Sequence, residues 1–259
     1  MADKLVDAPA PRVGLFVTCL IDAMRPSIGF AAIQLLEEAG CTVEVPRAQT
    51  CCGQPAFNSG DTRHAAGLAR QVVEVFEPYD YVVVPSGSCG GMIRRHYPEA
   101  LADDPAWRAR AEALGEKTYE ITMFLVDIRG YRPKGRTLRR TATYHDACAG
   151  LRELDVFGQP RQLLAAVDGL EMRKLEGNDV CCGFGGTFCV KYPAISTAIV
   201  EEKTAAIEQT GAELLLAGDL GCLMNMAGKL SRRGSAVRCF HTIEVLAGLG
   251  DGPAIGEEG

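Results

Sequence analysis

Short runs of apolar residues alternate along this chain with longer amphipathic segments of helical periodicity. In the first half the apolar runs predict strands at residues 13–17, 42–45 and 81–84. The segments between them predict helices at residues 26–40 and 61–76. The first of these helices begins at a proline and stops at a glycine. Strands that alternate with helices in this way are typical of βαβ units around a mostly parallel sheet.

The second half repeats this order of elements. It predicts strands at residues 141–144, 171–175, 213–216 and 237–240, and helices at residues 160–167, 193–209 and 242–249. Residues 98–117 and 131–136 are predicted to connect the halves, and a short helical stretch at residues 119–128 is expected to pack back on one of them. We therefore expect an α/β fold of two similar βαβ-type modules with mostly parallel sheets, related by internal duplication, at residues 1–135 and 136–259.

Cysteines mark the repeat most clearly. A lone cysteine, an adjacent pair followed by glycine, and another lone cysteine occur twice, with offsets of 129, 130, 130 and 133 residues. The first copy consists of Cys19, Cys51, Cys52 and Cys89, and the second of Cys148, Cys181, Cys182 and Cys222. Each lone cysteine follows a predicted strand, and each pair lies in a loop after another strand. The four cysteines of a copy can therefore converge at the carboxyl edge of one sheet.

Four interpretations compete for these eight cysteines. Burial as small apolar side chains does not explain an adjacent pair that recurs in register. Disulfides are rare in a reducing compartment, and adjacent cysteines bridge each other poorly. Structural zinc usually takes two C-x2-C pairs, which this sequence lacks, although zinc stays open as an alternative. Four cysteines per copy match the ligand count of one [4Fe-4S] cluster, so we predict two such clusters.

Glycines support the cluster interpretation. Gly53 and Gly183 directly follow the two cysteine pairs. Glycine permits positive φ and close approach to inorganic sulfide, and its amide can donate a hydrogen bond to cluster sulfur. We therefore expect both glycines to contribute to cofactor binding.

Composition narrows the function further. The chain of 259 residues has a net charge of -6, which argues against nucleic-acid or anionic-membrane partners. Its first twelve residues lack the apolar core of a signal peptide, and no run approaches the length of a membrane span. Eleven cysteines without an export signal predict a cytoplasmic redox or metal protein. No P-loop or dinucleotide fingerprint is present.

Several other residues are weaker candidates. His145, three residues before Cys148, could tune the second cluster, shuttle a proton or bind a substrate carboxylate, and it is a weak candidate for a catalytic residue. The first copy has Phe16 at the matching position. Cys41 and Cys239 are expected in the core, ligation by Cys189 is disfavoured, and His241 is expected to cap a helix or pack in the core.

The two Cys-Cys-Gly motifs, with the stretches FVTCL, SGSCGGM and CFHTIEVLAG, resemble the cysteine-rich CCG-domain family of iron–sulfur proteins. The resemblance covers nearly the whole chain, and length and motifs are most similar to the branch that acts in L-lactate utilisation. It implies an iron–sulfur electron-transfer component of a system that oxidises L-lactate to pyruvate. The implied partners are a ferredoxin-like iron–sulfur protein, lactate utilisation protein B, and a third protein, C.

One departure from the family bears on the chemistry. Heterodisulfide reductase relatives carry a fifth cysteine ligand three residues after the last cysteine of each motif, where this chain has Met92 and Asn225. The resemblance therefore favours an electron relay over a disulfide-cleaving centre. A heterodisulfide reductase-like thiol–disulfide oxidoreductase and a zinc-bound, non-redox scaffold remain as alternative functions.

Overall fold

Eight short strands, rich in β-branched residues and leucine, build the two sheets of the computed structural model, which describes residues 10–257. The first twelve residues, whose composition argues against a signal peptide, lie mostly outside the described residues. In the first half the strands are β1 (Arg12–Leu15), β2 (Thr42–Glu44), β3 (Tyr81–Val84) and β4 (Thr118–Glu120). In the second half they are β5 (Thr137–His145), β6 (Asp168–Arg173), β7 (Leu214–Ala217) and β8 (Arg238–His241).

Both sheets are parallel and have the same topology. The strand orders are β2-β1-β3-β4 and β6-β5-β7-β8. In the first sheet Val13 of β1 is paired with Tyr81 of β3, and in the second Ala142 of β5 is paired with Leu214 of β7. The prediction of an α/β fold with two similar modules is confirmed. The boundary between residues 135 and 136, which falls just before β5, stays a prediction.

Helices cover the connections between the strands. In the first half they are α1 (Cys19–Met24), α2 (Pro26–Glu38), α3 (Gln54–Asn58), α4 (Thr62–Phe76), α5 (Gly87–Gly91), α6 (Tyr97–Ala100), α7 (Pro105–Glu116) and α8 (Ile121–Met123). In the second half they are α9 (Cys148–Leu154), α10 (Gly158–Leu164), α11 (Phe188–Lys191), α12 (Pro193–Gln209), α13 (Leu220–Arg232) and α14 (Thr242–Leu246). Two π-helical turns, Met92–His96 and Phe124–Ile128, continue α5 and α8.

The expected connection between the halves is wrong in part. Residues 98–117 contain α7, and the strand β4 follows directly as an edge of the first sheet. Three residues are too few for a recognisable alternation of polar and apolar positions, so the sequence pattern missed this strand. The helical stretch that follows it packs between the halves, because Phe124 and Leu125 share one apolar cluster with Leu138 and Leu163.

That shared cluster is the largest part of the core, and helices from both modules contribute to it. Helix α2 packs against α14 and α8 against α10, while α5 packs against α9 and α1 against α13. The last two pairs carry cysteines, so both cysteine sets lie beside the contact between the modules. Within residues 10–257, no helix combines the length and the apolar character needed to cross a membrane.

Candidate metal centres

Four strand ends deliver the lone cysteines of the repeat. Strands β1 and β5 end three or four residues before Cys19 and Cys148, which begin α1 and α9. Strands β3 and β7 end shortly before α5 and α13, which hold Cys89 and Cys222 in their first turns. Parallel strands end at one edge of a sheet. The two lone cysteines of each module therefore meet the Cys-Cys pair of the same module, which lies in a neighbouring loop.

The first quartet converges on one cavity. Cys19 Sγ lies 3.9 Å from Cys51 Sγ, and Cys52 Sγ lies 3.3 Å from Cys89 Sγ. A cavity of about 220 Å³ adjoins all four cysteines, and Phe184, Thr187 and Val190 from the second half also line it. Cys19 is exposed whereas Cys52 is buried, so the centre extends from the core to the surface.

The second quartet converges in the same order. Cys148 contacts Cys181, which in turn contacts Cys182, and Cys182 contacts Cys222. A ring nitrogen of His145 and the sulfurs of Cys182 and Cys222 all lie within 4.8 Å of one another. The structure therefore places five donor groups at the second centre, where the cysteine repeat indicated only four.

The thiols share their protons in the same way in both centres. The pKa of Cys51 is lowered because Cys19 and Cys52 donate hydrogen bonds to its sulfur. Its counterpart Cys181 has a lowered pKa because Cys148 and Cys182 do the same. The donating cysteines have raised pKa values through these hydrogen bonds and through burial. A metal that binds all four sulfurs must therefore displace protons.

Both glycines after the cysteine pairs have the positive φ that the sequence predicts, 82° at Gly53 and 83° at Gly183. This backbone conformation turns each amide toward the cysteine two residues earlier. Gly53 N donates to Cys51 Sγ at 3.5 Å, and Gly183 N donates to Cys181 Sγ at 3.3 Å. N–H donors directed at sulfur stabilise negative charge on a thiolate or a cluster.

We expect alanine to be tolerated less well at Gly183 than at Gly53. Left-handed backbone costs either alanine about 1 kcal/mol. At Gly183 the added Cβ would also lie 2.7 Å from the carbonyl oxygen of Ser196, whereas at Gly53 the nearest atom is Leu68 Cβ at 3.4 Å. Gly183→Ala should therefore lower the free energy of unfolding by a further ~1–3 kcal/mol, measured by urea denaturation. Equal losses for the two variants would contradict this packing difference.

Two polar side chains hold the buried cysteines through contacts that the sequence pattern did not indicate. Tyr97 Oη donates to the carbonyl oxygen of Cys52 at 2.9 Å, and Asn225 Nδ2 donates to the carbonyl oxygen of Cys182 at 2.9 Å. Asn225 lies three residues after Cys222, and Met92, three residues after Cys89, is fully buried in the first module's core. Both residues therefore have structural contacts.

The remaining candidates have contacts of their own. Cys41 and Cys239 are buried, as expected, and His241 caps α14 through Nδ1, which accepts from Ile243 N. Cys189 Sγ donates to the carbonyl oxygen of Gly186 at 3.3 Å. All eleven cysteines are free thiols.

His145 is buried, with 1% of its surface exposed. Its Nδ1 lies 3.1 Å from the carbonyl oxygen of Asn178. Burial, and then the positive charge of Lys203, lowers the pKa of His145 to about 4. The ring is therefore neutral near pH 7. The sequence marked His145 by its spacing from Cys148, but it did not single out Lys203, whose position in the middle of α12 gives no signal.

The carboxylate of Asp219 links the two modules by hydrogen bonds. Asp219, next to the start of α13, accepts hydrogen bonds from Ser86 Oγ at 3.0 Å and from Ser88 N at 3.1 Å, across the module contact. Gly87 and Gly150 meet here, since a Cβ on Gly87 would lie 2.6 Å from Gly150 Cα. Helices α5 and α9 can therefore approach closely, which brings their cysteines toward one another.

Glu120 should titrate near neutral pH. It lines a cavity of about 20 Å³ at the module contact, and burial raises its pKa from 4.5 to about 7. Ionising it in the folded chain thus costs about 3 kcal/mol. Because the pKa of Glu120 is higher in the folded chain than in the unfolded chain, protonated Glu120 favours the folded state. This stabilisation is complete below pH 4.5 and is lost as the pH rises through 7. An infrared titration should show the band of the protonated carboxyl group disappear near pH 7.

Glu120→Gln is the matching variant for that titration. It keeps a side-chain oxygen for the hydrogen bonds from Thr122 and Met123 but has no proton to lose. The band should be absent from its spectra. A midpoint near pH 4.5 in the unsubstituted protein would show that Glu120 is hydrated.

The donor sets fit a thiolate-bound metal or iron–sulfur centre. Each centre has four converging cysteine sulfurs and one glycine N–H directed at a sulfur. At the second centre a buried histidine nitrogen, Nε2, has no hydrogen-bond partner within the described residues. Bulky inorganic sulfide requires space as well as ligands, and the cavity at the first quartet supplies it.

Comparisons with known proteins agree with the duplication. The model of a cysteine-rich domain, CCG, matches residues 13–94 and again residues 142–227. Lactate utilization protein A of Bacillus subtilis (strain 168) is 46% identical over 235 residues, which are 91% of this chain and 98% of that protein. Lactate utilization protein A of an Exiguobacterium species is 48% identical over 238 residues, 91% of this chain and 97% of that protein.

A solved structure shares the fold. A hypothetical protein from Helicobacter pylori aligns with a TM-score of 0.66 at 12% identity, over 94% of this chain and 50% of that chain. At this identity the likeness concerns the fold alone.

Proposed function

Because this chain belongs to the lactate utilisation protein A family of cysteine-rich CCG-domain proteins, we propose that it is the iron–sulfur electron-transfer component of an L-lactate oxidising system. The observation that carries the proposal is the presence of two similar quartets of converging thiols. The first quartet would hold one [4Fe-4S] cluster through Cys19, Cys51, Cys52 and Cys89, and the second would hold another through Cys148, Cys181, Cys182 and Cys222.

A bound cluster supplies one-electron redox chemistry that the side chains of this protein lack. The chain holds the sulfur ligands at strand ends, donates N–H groups to them from Gly53 and Gly183, and excludes water from Cys52 and Cys182, which are each 2% exposed. The close contact between α5 and α9 supports electron transfer between the centres, because these helices carry Cys89 of one centre and Cys148 of the other.

We further propose that lactate utilisation proteins B and C are the partners of this chain. The relay would pass electrons from the oxidation of L-lactate to pyruvate through the two centres to the ferredoxin-like partner. We also propose the cytoplasm as the compartment, since reducing conditions there keep cysteine thiols available to bind a metal.

Zinc is a second candidate for the second centre. His145, Cys182 and Cys222 form a compact donor group, and zinc binds such nitrogen and sulfur ligands in a tetrahedron. A zinc-bound chain would serve as a scaffold without redox work. Acid-labile sulfide distinguishes the two possibilities, because only the cluster contains it.

Anaerobic purification followed by metal and sulfide analysis tests the proposal. Two [4Fe-4S] clusters require about eight iron and about eight sulfide per chain, with an EPR signal on reduction. Stoichiometric zinc without sulfide would overturn it.

The assignment to lactate is tested separately by deletion of the gene. The deletion strain should lose growth on L-lactate and keep growth on glucose, and the gene supplied in trans should restore growth. Unimpaired growth on L-lactate, in a strain without another lactate dehydrogenase, would contradict the assignment.

A further inference from the structure

One residue position distinguishes the two centres most clearly. The pairing of Val13 with Tyr81 corresponds to the pairing of Ala142 with Leu214, so three residues further along Phe16 corresponds to His145. Phe16 is fully buried and packs against the ring of Phe76, with centroids 5.4 Å apart. The wall of the first centre is therefore apolar here, whereas the second centre has an imidazole.

The hydrogen bonds of His145 determine which of its nitrogens is free. The carbonyl oxygen of Asn178 can only accept, so the Nδ1 atom 3.1 Å away carries the proton. In the neutral ring this leaves a lone pair on Nε2, which is buried and has no hydrogen-bond partner within residues 10–257. An unpaired buried nitrogen costs free energy, which a ligand on Nε2 would recover.

His145 lies beside the thiols of the second centre. A ring nitrogen of His145 is within 4.8 Å of the sulfurs of both Cys182 and Cys222. Since Nδ1 is occupied by the Asn178 carbonyl, Nε2 is the nitrogen available to a metal that these two sulfurs bind.

The surrounding residues hold the ring in this orientation. Asn178 O also accepts from the backbone N of Asp146 at 3.0 Å and from Lys203 Nζ at 3.2 Å. Lys203 is itself buried and donates to the carbonyl oxygen of Gly177. A histidine that binds metal typically donates its other N–H to a carbonyl that is fixed by further contacts, as this one is.

The first copy has no such support. Leu68 and Ile199 occupy equivalent positions, because each lies against the glycine after the cysteine pair of its own copy. Four residues further along their helices, Val72 corresponds to Lys203. The second copy thus combines a histidine and a lysine where the first copy has a phenylalanine and a valine.

We propose that His145 Nε2 binds iron of the second centre in place of one of its four thiolates, which makes that centre mixed thiolate–imidazole while the first is bound by thiolates alone. The inference rests on the proposed function, because it requires that the centre holds iron. A neutral imidazole that replaces a thiolate removes one negative charge from the ligand set, which raises the reduction potential. The second centre is therefore the electron acceptor of the pair.

Histidine labelled with 15N tests the ligation without any change at His145. The Cys52→Ser variant is purified anaerobically with natural-abundance or 15N-labelled histidine, so that the reduced signal comes from the second centre. Electron spin echo spectroscopy should detect an iron-bound imidazole nitrogen whose modulation changes with the label. Backbone amides such as Gly183 N–H remain 14N and do not change.

Two variants locate the nitrogen and measure its effect. His145→Phe, which matches the first copy, should lose the modulation and lower the midpoint potential of the second centre while the first keeps its own. His64→Gln, at an exposed histidine, should leave both unchanged. If His145→Phe fails to fold, the comparison of 15N-labelled and unlabelled histidine in the Cys52→Ser variant still tests whether an imidazole nitrogen binds the iron.

The outcomes separate this inference from the proposed function. Full iron and sulfide without a histidine-dependent modulation would overturn the ligation and leave the electron-transfer proposal intact. Absence of iron and sulfide from the unsubstituted protein would overturn both.

Discussion

Replacement of Cys52 by serine is expected to remove the first iron–sulfur centre and to leave the second intact. Cys52 is 2% exposed and its sulfur lies 3.3 Å from Cys89 Sγ, at the buried end of the quartet. A serine hydroxyl at that depth is a poor ligand for iron that prefers thiolate. Iron and sulfide should fall from about eight to about four per chain, with half of the EPR spins lost.

Cys182→Ser is expected to remove the second centre and to leave the first intact. The double variant, with both Cys52 and Cys182 replaced by serine, should contain neither iron–sulfur centre. Cys182 holds the corresponding buried position, also 2% exposed. Cys41→Ser is the matched control, because Cys41 is a buried cysteine outside both quartets and its replacement should keep full iron content. Loss of both centres from one single substitution would indicate a single shared site instead of two.

Asp146→Ala is expected to destabilise the protein by about 2–3 kcal/mol, less than the ~3–5 kcal/mol for a fully buried ion pair, because the side chain of Arg161 is partly exposed. Asp146 is 2% exposed and binds Arg161 through two hydrogen bonds, of 2.9 and 2.7 Å. It also accepts from Asn178 Nδ2. The alanine leaves the half-buried Arg161 without its carboxylate and releases the loop that leads to Cys181.

The second centre should therefore lose iron in Asp146→Ala while the first keeps it. Chemical denaturation measures the stability, and EPR of the reduced protein measures the two centres. Glu44→Ala, which breaks the exposed pair with Arg12, is the control and should cost less than about 1 kcal/mol. Equal effects of the two substitutions would show that the Asp146 pair contributes no more than a surface contact.

Much of the fold follows from local patterns in the sequence. The predicted strand at residues 81–84 coincides with β3, and the predicted helix at residues 193–209 coincides with α12. These elements are dense in apolar residues or begin at a proline, so local preferences agree with the final structure. Strand β4 has three residues and no such signal, and only its pairing with β3 defines it.

In the candidate centres, too, some features were visible in the sequence and others only in the structure. The cysteine repeat indicated two quartets, and the glycine after each pair indicated positive φ, because these features depend on residue type and spacing. Tyr97 and Lys203 gave no signal, since their roles depend on neighbours that are distant in the chain. Asn225 stood out only by its spacing from Cys222, and its hydrogen bond to the Cys182 carbonyl depends on the fold.

The sequence by itself determined the duplication, the parallel α/β modules and the set of cysteines that converge in each module. The tertiary structure decided how the two centres differ. Parallel pairing of β5 with β7 brings His145 beside Cys182 and Cys222, while the same position in the first sheet holds Phe16 in an apolar core. The physical reason is that ligand geometry and burial arise from contacts between segments far apart in the chain, which residue spacing does not encode.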